Sequence, residues 1–209
     1  TIMKHLFSLF AFLAMTVSAY AGNNVTLRDV MYGGFWPKTY AAIEPMADGE
    51  HFARMSDDRS MILMGSFRNG EIVDTLFNAA TARGFEGKRI DGYQFSPDEG
   101  MIILGNNYRS VYRHSAYVDY QIVKVADGKT VATLKDVRDL TLSPDSKRVA
   151  FAKDNNLYVG ELGKEPVAIT TDGEWNHIIN GTADWVYEEE LGFTQGYAFS
   201  PDSKQIAYM

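Results

Sequence analysis

The feature that most constrains the fold of this chain is a polar turn that recurs four times, each time just before an apolar run. Three copies contain Ser-Pro-Asp, and a fourth, Met55–Ser60, is degenerate. The clear copies are Phe95–Gly100, Leu142–Lys147 and Phe199–Lys204. Proline fixes φ at the second position of a tight turn, and aspartate can bond to the backbone beyond it. Each copy therefore predicts a reversal between two strands.

The spacing of these turns predicts the blades of a β-propeller. Their serines are Ser56, Ser96, Ser143 and Ser200. Successive serines lie about 40, 47 and 57 residues apart, close to the period of a four-stranded blade. We therefore expect an all-β chain with about four blades. The last step is the longest and predicts an insertion over 171–193, with a short helix.

A closed ring of four blades is the alternative to part of a larger propeller. It is disfavoured because the sequence stops at Met209, where the last unit would lack most of its strands. We therefore expect this chain to be the N-terminal part of a propeller domain in a longer protein.

The composition indicates a globular protein without an electrostatic site for nucleic acid. Apolar residues make up 45% of the chain and aromatic residues 13%, and they stand among β-branched residues, as strands prefer. The formal net charge is -7 and no basic block is present, which disfavours nucleic acid as a partner. A cationic substrate is compatible with this charge.

The first 21 residues have the pattern of a secretory signal peptide. Lys4 supplies a basic start, Leu6–Val17 is an apolar run of the usual length, and Ala19–Ala21 is a small-x-small cleavage site. A membrane anchor is the competing interpretation, but the run is too short to span a bilayer. We expect cleavage of residues 1–21 and export of 22–209 to a periplasm or cell surface. The absence of cysteine suits a bacterial envelope.

No motif of a catalytic site occurs in the sequence. The G-x-S-x-G elbow, the P-loop and H-E-x-x-H are absent, and there are no cysteines. The four histidines are scattered without metal-ligand spacing: His5, His51, His114 and His177. The sequence therefore predicts no metal, no cofactor and no catalytic nucleophile in this chain.

An acidic run in the predicted insertion is the strongest candidate for a binding site. Asp184–Glu190 contains three consecutive glutamates beside two large aromatic residues. On a helix successive side chains are about 100° apart, so two neighbouring glutamates can converge on one cation. An ammonium ligand would relieve the repulsion between them. Taken alone, the run is also typical of a solvated acidic helix face.

Arg113 is a second candidate. It lies inside the aromatic-rich segment Tyr108–Tyr120, which predicts a strand. From there its guanidinium could point into the channel of the propeller and donate to a carbonyl or carboxylate oxygen. An ordinary exposed arginine explains the same pattern.

Together these two segments resemble the dipeptidyl peptidase IV family, a branch of the prolyl oligopeptidases. Asp184–Glu190 is similar to the double-glutamate motif of that family, and Arg113–Ser115 is similar to the segment of its substrate-binding arginine. Similarity to the bacterial branch also extends over Thr26–Val30, Met46–His51 and Ile178–Gly181. The resemblance covers nearly all of the expected mature chain.

The resemblance implies an eight-bladed propeller followed by an α/β-hydrolase domain that carries a Ser-Asp-His triad. It implies a serine exopeptidase that removes Xaa-Pro or Xaa-Ala dipeptides from peptides with a free N-terminus, and a homodimer. Glu189 and Glu190 would bind the substrate α-ammonium, and Arg113 would bind the carbonyl oxygen of the first residue. Tyr112 and Leu191–Phe193 depart from the family pattern without touching these contacts, and they leave substrate preference open.

Two other functions remain compatible with the sequence. The turn repeat alone also fits a non-enzymatic envelope propeller that acts as a scaffold or binding module. A related prolyl endopeptidase or acylaminoacyl peptidase is a nearer alternative. The glutamate pair separates these enzymes from a dipeptidyl peptidase, because a blocked N-terminus offers no ammonium.

Overall fold

The architecture was obtained as a computed structural model, which describes residues 25–33, 35, 37, 39, 41–87 and 89–209. The predicted signal segment, residues 1–21, lies outside the described residues. The chain divides into two units, one ending at Tyr40 and the other beginning at Ala41. In the first unit, a short helix α1 (Leu27–Met31) is capped by the side chain of Thr26.

The second unit contains the strands, which form antiparallel sheets. The first sheet comprises β1 (Glu44–Pro45), β2 (His51–Met55), β3 (Met61–Ser66) and β4 (Ile72–Asn78). The second comprises β5 (Gly92–Phe95), β6 (Met101–Ser110), β7 (Ala116–Lys124), β8 (Thr130–Leu142), β9 (Arg148–Lys153), β10 (Asn156–Glu161) and β11 (Val167–Ala168). After helix α2 (Trp185–Leu191), β12 (Tyr197–Phe199) pairs with β13 (Ile206–Tyr208).

Each repeated turn joins two antiparallel strands through the same pair of hydrogen bonds. Between β8 and β9, Ser143 Oγ donates to Asp145 Oδ1 at 2.6 Å and accepts from the Arg148 N–H at 2.9 Å. The equivalent hydroxyls form the same pair of bonds at 2.6 to 2.9 Å in the other turns, at Ser56, Ser96 and Ser200. The predicted reversals are confirmed, and the degenerate sequence at Ser56 forms the same turn as the others.

Strand β8 connects two four-stranded units within the second sheet. Its first part, from Thr130 to Val137, pairs with β7, and its last part, from Arg138 to Leu142, pairs with β9. The strands β5 to β8 therefore form one unit, and β8 to β11 form the next. These units correspond to the four-stranded repeat that the turn spacing predicts.

The core lies between successive units, because the central strands are buried on both faces. On β6, Ile102 and Leu104 pack in one cluster with Ile62 of β3, whereas Ile103 packs in another cluster with Phe151 of β9. Successive side chains of a strand point to opposite faces of its sheet. A continuous apolar run such as the start of β6 therefore fits a strand between two neighbouring blades.

The predicted insertion contains the short helix α2, so the acidic run is helical. The segment that carries α2 is closed by a hydrogen bond from the Ala183 N–H to the Thr194 carbonyl at 2.8 Å. Asp184 caps the helix by accepting from the Tyr187 N–H at 3.0 Å. Gly192 ends it at φ 73°, a left-handed conformation that favours glycine. None of the helices in the described ranges is long and apolar enough to cross a membrane.

Candidate functional site

Helix α2 presents its three consecutive glutamates at three different depths. Glu188 is 1% exposed, the side chain of Glu189 is 15% exposed, and Glu190 is exposed. This gradient follows from the rotation of about 100° per residue, which points adjacent side chains in different directions. The three carboxylates therefore cannot share one role.

The structure brings Arg113 and Glu189 together, as the candidate site requires. Arg113 Nη1 lies 3.2 Å from Glu189 Oε2, and the arginine side chain is 71% exposed. The guanidinium carries five N–H donors in a planar fork, so donors remain free on its solvent side. Glu190 is exposed on the same helix, and its carboxylate forms no hydrogen bond or ion pair with the residues that the structure describes.

Arg113 lies in a turn rather than in the strand that the aromatic pattern predicts. Strand β6 ends at Ser110 and β7 begins at Ala116, and the Val111 N–H donates to the Ser115 carbonyl at 2.9 Å to close the turn. The prediction was wrong because aromatic residues of the two strands continue through the turn at Tyr112. We name the segment 111–115 the arginine turn.

The carboxylate of Glu188 accepts hydrogen bonds from the backbone of the arginine turn. The sequence did not reveal this role. Glu188 Oε1 accepts from the His114 N–H at 2.5 Å and from the Ser115 N–H at 3.1 Å. Burial works against ionisation of this carboxyl, but hydrogen bonds from Ser115 and His114 outweigh it and hold the pKa of Glu188 below its usual value. The group is therefore a buried carboxylate at neutral pH. The only signal in the sequence was a third glutamate in the run.

A second carboxyl group, that of the largely buried Asp139, lies near the helix and was also not predicted. Thr194 Oγ1 donates to Asp139 Oδ1 at 2.6 Å, and Arg138 Nε lies 3.6 Å from Oδ2. Burial and the charge of Glu188 raise the pKa of Asp139, although Thr194 and Arg138 oppose the shift. Glu188 and Asp139 therefore add two carboxyl groups to the surroundings of α2, where Arg113 and Arg138 lie beside carboxylate oxygens.

The acidic side chains at α2 do not form a metal centre. Across the described part of the chain, no group of three or more histidine, cysteine, aspartate or glutamate side chains is arranged to hold a metal ion. What the surface of α2 offers is a carboxylate beside a guanidinium. Such a pair can bind both ends of a small polar group, an ammonium on one side and a carbonyl oxygen on the other.

Comparison with known proteins agrees with the resemblance seen in the motifs. Residues 96–209 match the family described as the dipeptidyl peptidase IV (DPP IV) N-terminal region. Prolyl endopeptidase FAP of Homo sapiens is 30% identical over 190 residues, which cover 88% of this chain and 24% of that protein. Dipeptidyl peptidase 4 of Trichophyton rubrum is 32% identical over 175 residues, which cover 81% of this chain and 21% of that protein.

A solved structure shows the same fold. The crystal structure of Porphyromonas gingivalis dipeptidyl peptidase 4 is similar with a TM-score of 0.80 and 34% identity, covering 87% of this chain and 27% of that one. The chain thus spans about a quarter of the length of these relatives. The predicted fold class, an all-β part of a propeller, is confirmed. By its sequence and by its fold, the chain belongs to the dipeptidyl peptidase IV family, of which it contains part of the N-terminal region.

Proposed function

We propose that the full-length protein is an exported serine exopeptidase and that this chain binds the N-terminus of its substrate. The enzyme removes Xaa-Pro or Xaa-Ala dipeptides. Glu189 and Glu190 bind the α-ammonium, and Arg113 donates to the carbonyl oxygen of the first residue. The observation that carries the proposal is the 3.2 Å contact between Arg113 and Glu189, because it places a donor and an acceptor side by side at an exposed surface.

The position of the glutamates in α2 supports a cationic ligand. The carbonyl end of a helix carries partial negative charge, so carboxylates there oppose helix stability. Glu189 and Glu190 lie at that end of α2, and its last turn contains no basic residue. An ammonium ligand would offset this repulsion. The N-terminus of a peptide, with a pKa near 7.7 to 8.0, is largely cationic at neutral pH.

Anchoring the N-terminus explains how such a site would select dipeptides. A substrate held at its ammonium and at its first carbonyl has a fixed orientation relative to a nucleophile elsewhere in the protein. Only one peptide bond then lies at the distance of that nucleophile. The triad itself is expected, from the resemblance, outside the sequence of this chain.

Kinetics of variants in the full-length protein test the proposal. We expect Glu189→Ala, Glu190→Ala and Arg113→Ala each to lower kcat/KM for a free Xaa-Pro substrate by about tenfold to hundredfold, the cost of one hydrogen bond to a charged group. Glu165→Ala and Arg68→Ala are matched controls, because both residues are exposed and neither forms an ion pair or hydrogen bond with α2 or the arginine turn among the described residues. Wild-type turnover in the three site variants would contradict the proposal.

A prolyl endopeptidase is the second candidate, favoured by the names of the FAP relatives. The two activities differ in their need for a free N-terminus. For a dipeptidyl peptidase, we expect wild type to have a higher kcat/KM than Glu189→Ala on the free peptide. This difference should disappear when the N-terminus of the substrate is acetylated. Equal cleavage of free and acetylated peptides, insensitive to that variant, would support the endopeptidase. Absence of turnover on both peptides would support the scaffold function.

Export and dimerisation are the remaining parts of the proposal. Export rests on the signal pattern of residues 1–21, and fractionation of expressing cells would show the mature protein in the envelope or the medium. Dimerisation rests on the family resemblance, and light scattering of the purified protein measures it directly.

A further inference from the structure

The strongest unexplained feature of the molecule is the burial of Glu188. A carboxylate removed from water is costly unless hydrogen bonds or a cation compensate it. Glu188 is 1% exposed, and no arginine or lysine of the described residues lies within ion-pair distance of it. Two backbone N–H groups, those of His114 and Ser115, donate to its Oε1, whereas its buried Oε2 has no hydrogen-bond partner among the described residues. The hydrogen bonds that this carboxylate makes are therefore with the arginine turn.

Helix α2 and the arginine turn are joined by two adjacent contacts. Glu188 accepts from the backbone of His114, and the next residue of the helix, Glu189, pairs with Arg113, the residue before His114. Neighbouring residues of α2 thus contact neighbouring residues of the arginine turn. The backbone contact is part-buried at His114 and buried at Ser115, whereas the arginine side chain is 71% exposed. An exposed ion pair alone orders a long side chain only weakly.

We propose that Glu188 is a positioning residue, which fixes the backbone of the arginine turn so that Arg113 is held beside Glu189 for substrate binding. This inference rests on the proposed function for its kinetic consequence. It assigns separate roles within the glutamate run: Glu188 binds the protein backbone, and Glu189 and Glu190 bind the substrate. The negative charge of Glu188 matters because hydrogen bonds to an ionised acceptor are about twice as strong as neutral ones.

A double-mutant cycle in the full-length protein tests whether Glu188 acts through Arg113. We expect Glu188→Ala to lower kcat/KM for a free Xaa-Pro substrate by about tenfold or more in the wild-type background. In the Arg113→Ala background the same change should cost less than about twofold, because the group that Glu188 positions is already gone. Glu188→Gln keeps an acceptor of the same shape and should recover part of the loss.

The control is a buried residue with a similar contact elsewhere. Thr170 is 8% exposed, and its Oγ1 accepts from the Leu157 N–H at 2.9 Å. We expect Thr170→Ala to lower thermal stability and to have the same kinetic effect with or without Arg113. If Glu188→Ala also cost the same factor in both backgrounds, Glu188 would be a merely structural residue and the inference would be overturned.

Hydrogen exchange measures the same contact without reference to activity. We expect the amides of His114 and Ser115 to exchange faster in Glu188→Ala than in wild type, with Glu188→Gln between the two and Glu189→Ala close to wild type. Unchanged protection of 111–115 in both Glu188 variants would overturn the positioning role, whether or not the protein is a peptidase. Faster exchange in a protein without dipeptidase activity would instead preserve the contact and contradict the proposed function.

Discussion

The repeated turns and the arginine turn use the same kind of interaction at very different distances along the chain. In the turn at Ser143, side-chain hydrogen bonds connect residues two and five positions apart. At the candidate site, Glu188 reaches the amide of His114 across 74 positions. The first region forms wherever its short motif occurs, whereas the second exists only after the blades have packed. Local contacts therefore support the fold, and a long-range contact arranges the site.

The largest expected effect on the turns is loss of stability in acid, because all four contain an ionisable acceptor. Hydrogen bonds from Ser56 and Ser60 lower the pKa of Asp58 to about 2. The serines of the other turns lower the pKa of the corresponding carboxyls, those of Asp98, Asp145 and Asp202. A pKa lowered by folding stabilises the protein above the unfolded value, near 3.9 for aspartate, and this stability disappears as the pH falls toward the folded value.

We therefore expect the urea midpoint of unfolding to fall steeply between about pH 4 and pH 2. Asp139 and Glu44, whose pKa values burial raises, work in the opposite direction but are two groups against the four turn carboxyls. The variant Asp58→Asn should reduce the slope of the urea midpoint against pH, since an amide oxygen accepts the same hydrogen bonds without titrating. Asp57→Asn in the same turn is the control, because that side chain is 101% exposed. Equal slopes in the two variants would show that the turn carboxylates do not set the acid sensitivity.

A smaller effect on the free energy of unfolding should distinguish the buried copy of the turn, at Ser143, from the exposed copy at Ser200. Ser143 is 0% exposed, so Ser143→Ala leaves the part-buried Arg148 N–H without its acceptor and should cost about 1 to 3 kcal/mol of unfolding free energy. Ser200 makes the same two bonds where water has access, and Ser200→Ala should cost less than about 1 kcal/mol. Urea denaturation of both variants measures the difference. A reversed order would show that burial does not control the strength of the repeat.

The smallest effect on stability is expected at the site itself. Arg113 is 71% exposed, and surface ion pairs contribute little, so Arg113→Ala should change the unfolding free energy by less than about 1 kcal/mol. The same variant should strongly impair turnover if the proposed function holds. A large drop in stability would mean that Arg113 supports the fold, and it would remove the contrast between turns and site.

Much of the fold could be predicted because the turn motif repeats. The positions of Ser56, Ser96, Ser143 and Ser200 predicted strand reversals that the structure contains. The insertion was also predicted, from the long interval before Ser200, and the short helix expected in it is α2. Arg113 was placed in a strand by its aromatic neighbours, and that was wrong. Strand propensity is a local average, whereas the position of the arginine turn depends on a buried acceptor from another part of the chain.

The amino-acid sequence by itself determined the turns, the continuous apolar runs of β6 and β9, and the helical start and end of α2 at Asp184 and Gly192. Each of these depends on residues that are close in sequence. Only the tertiary structure decided which glutamate is buried, which contacts Arg113 and which faces solvent. Three identical side chains in a row are distinguished by nothing except the direction in which the helix points them after it has packed against the neighbouring blade.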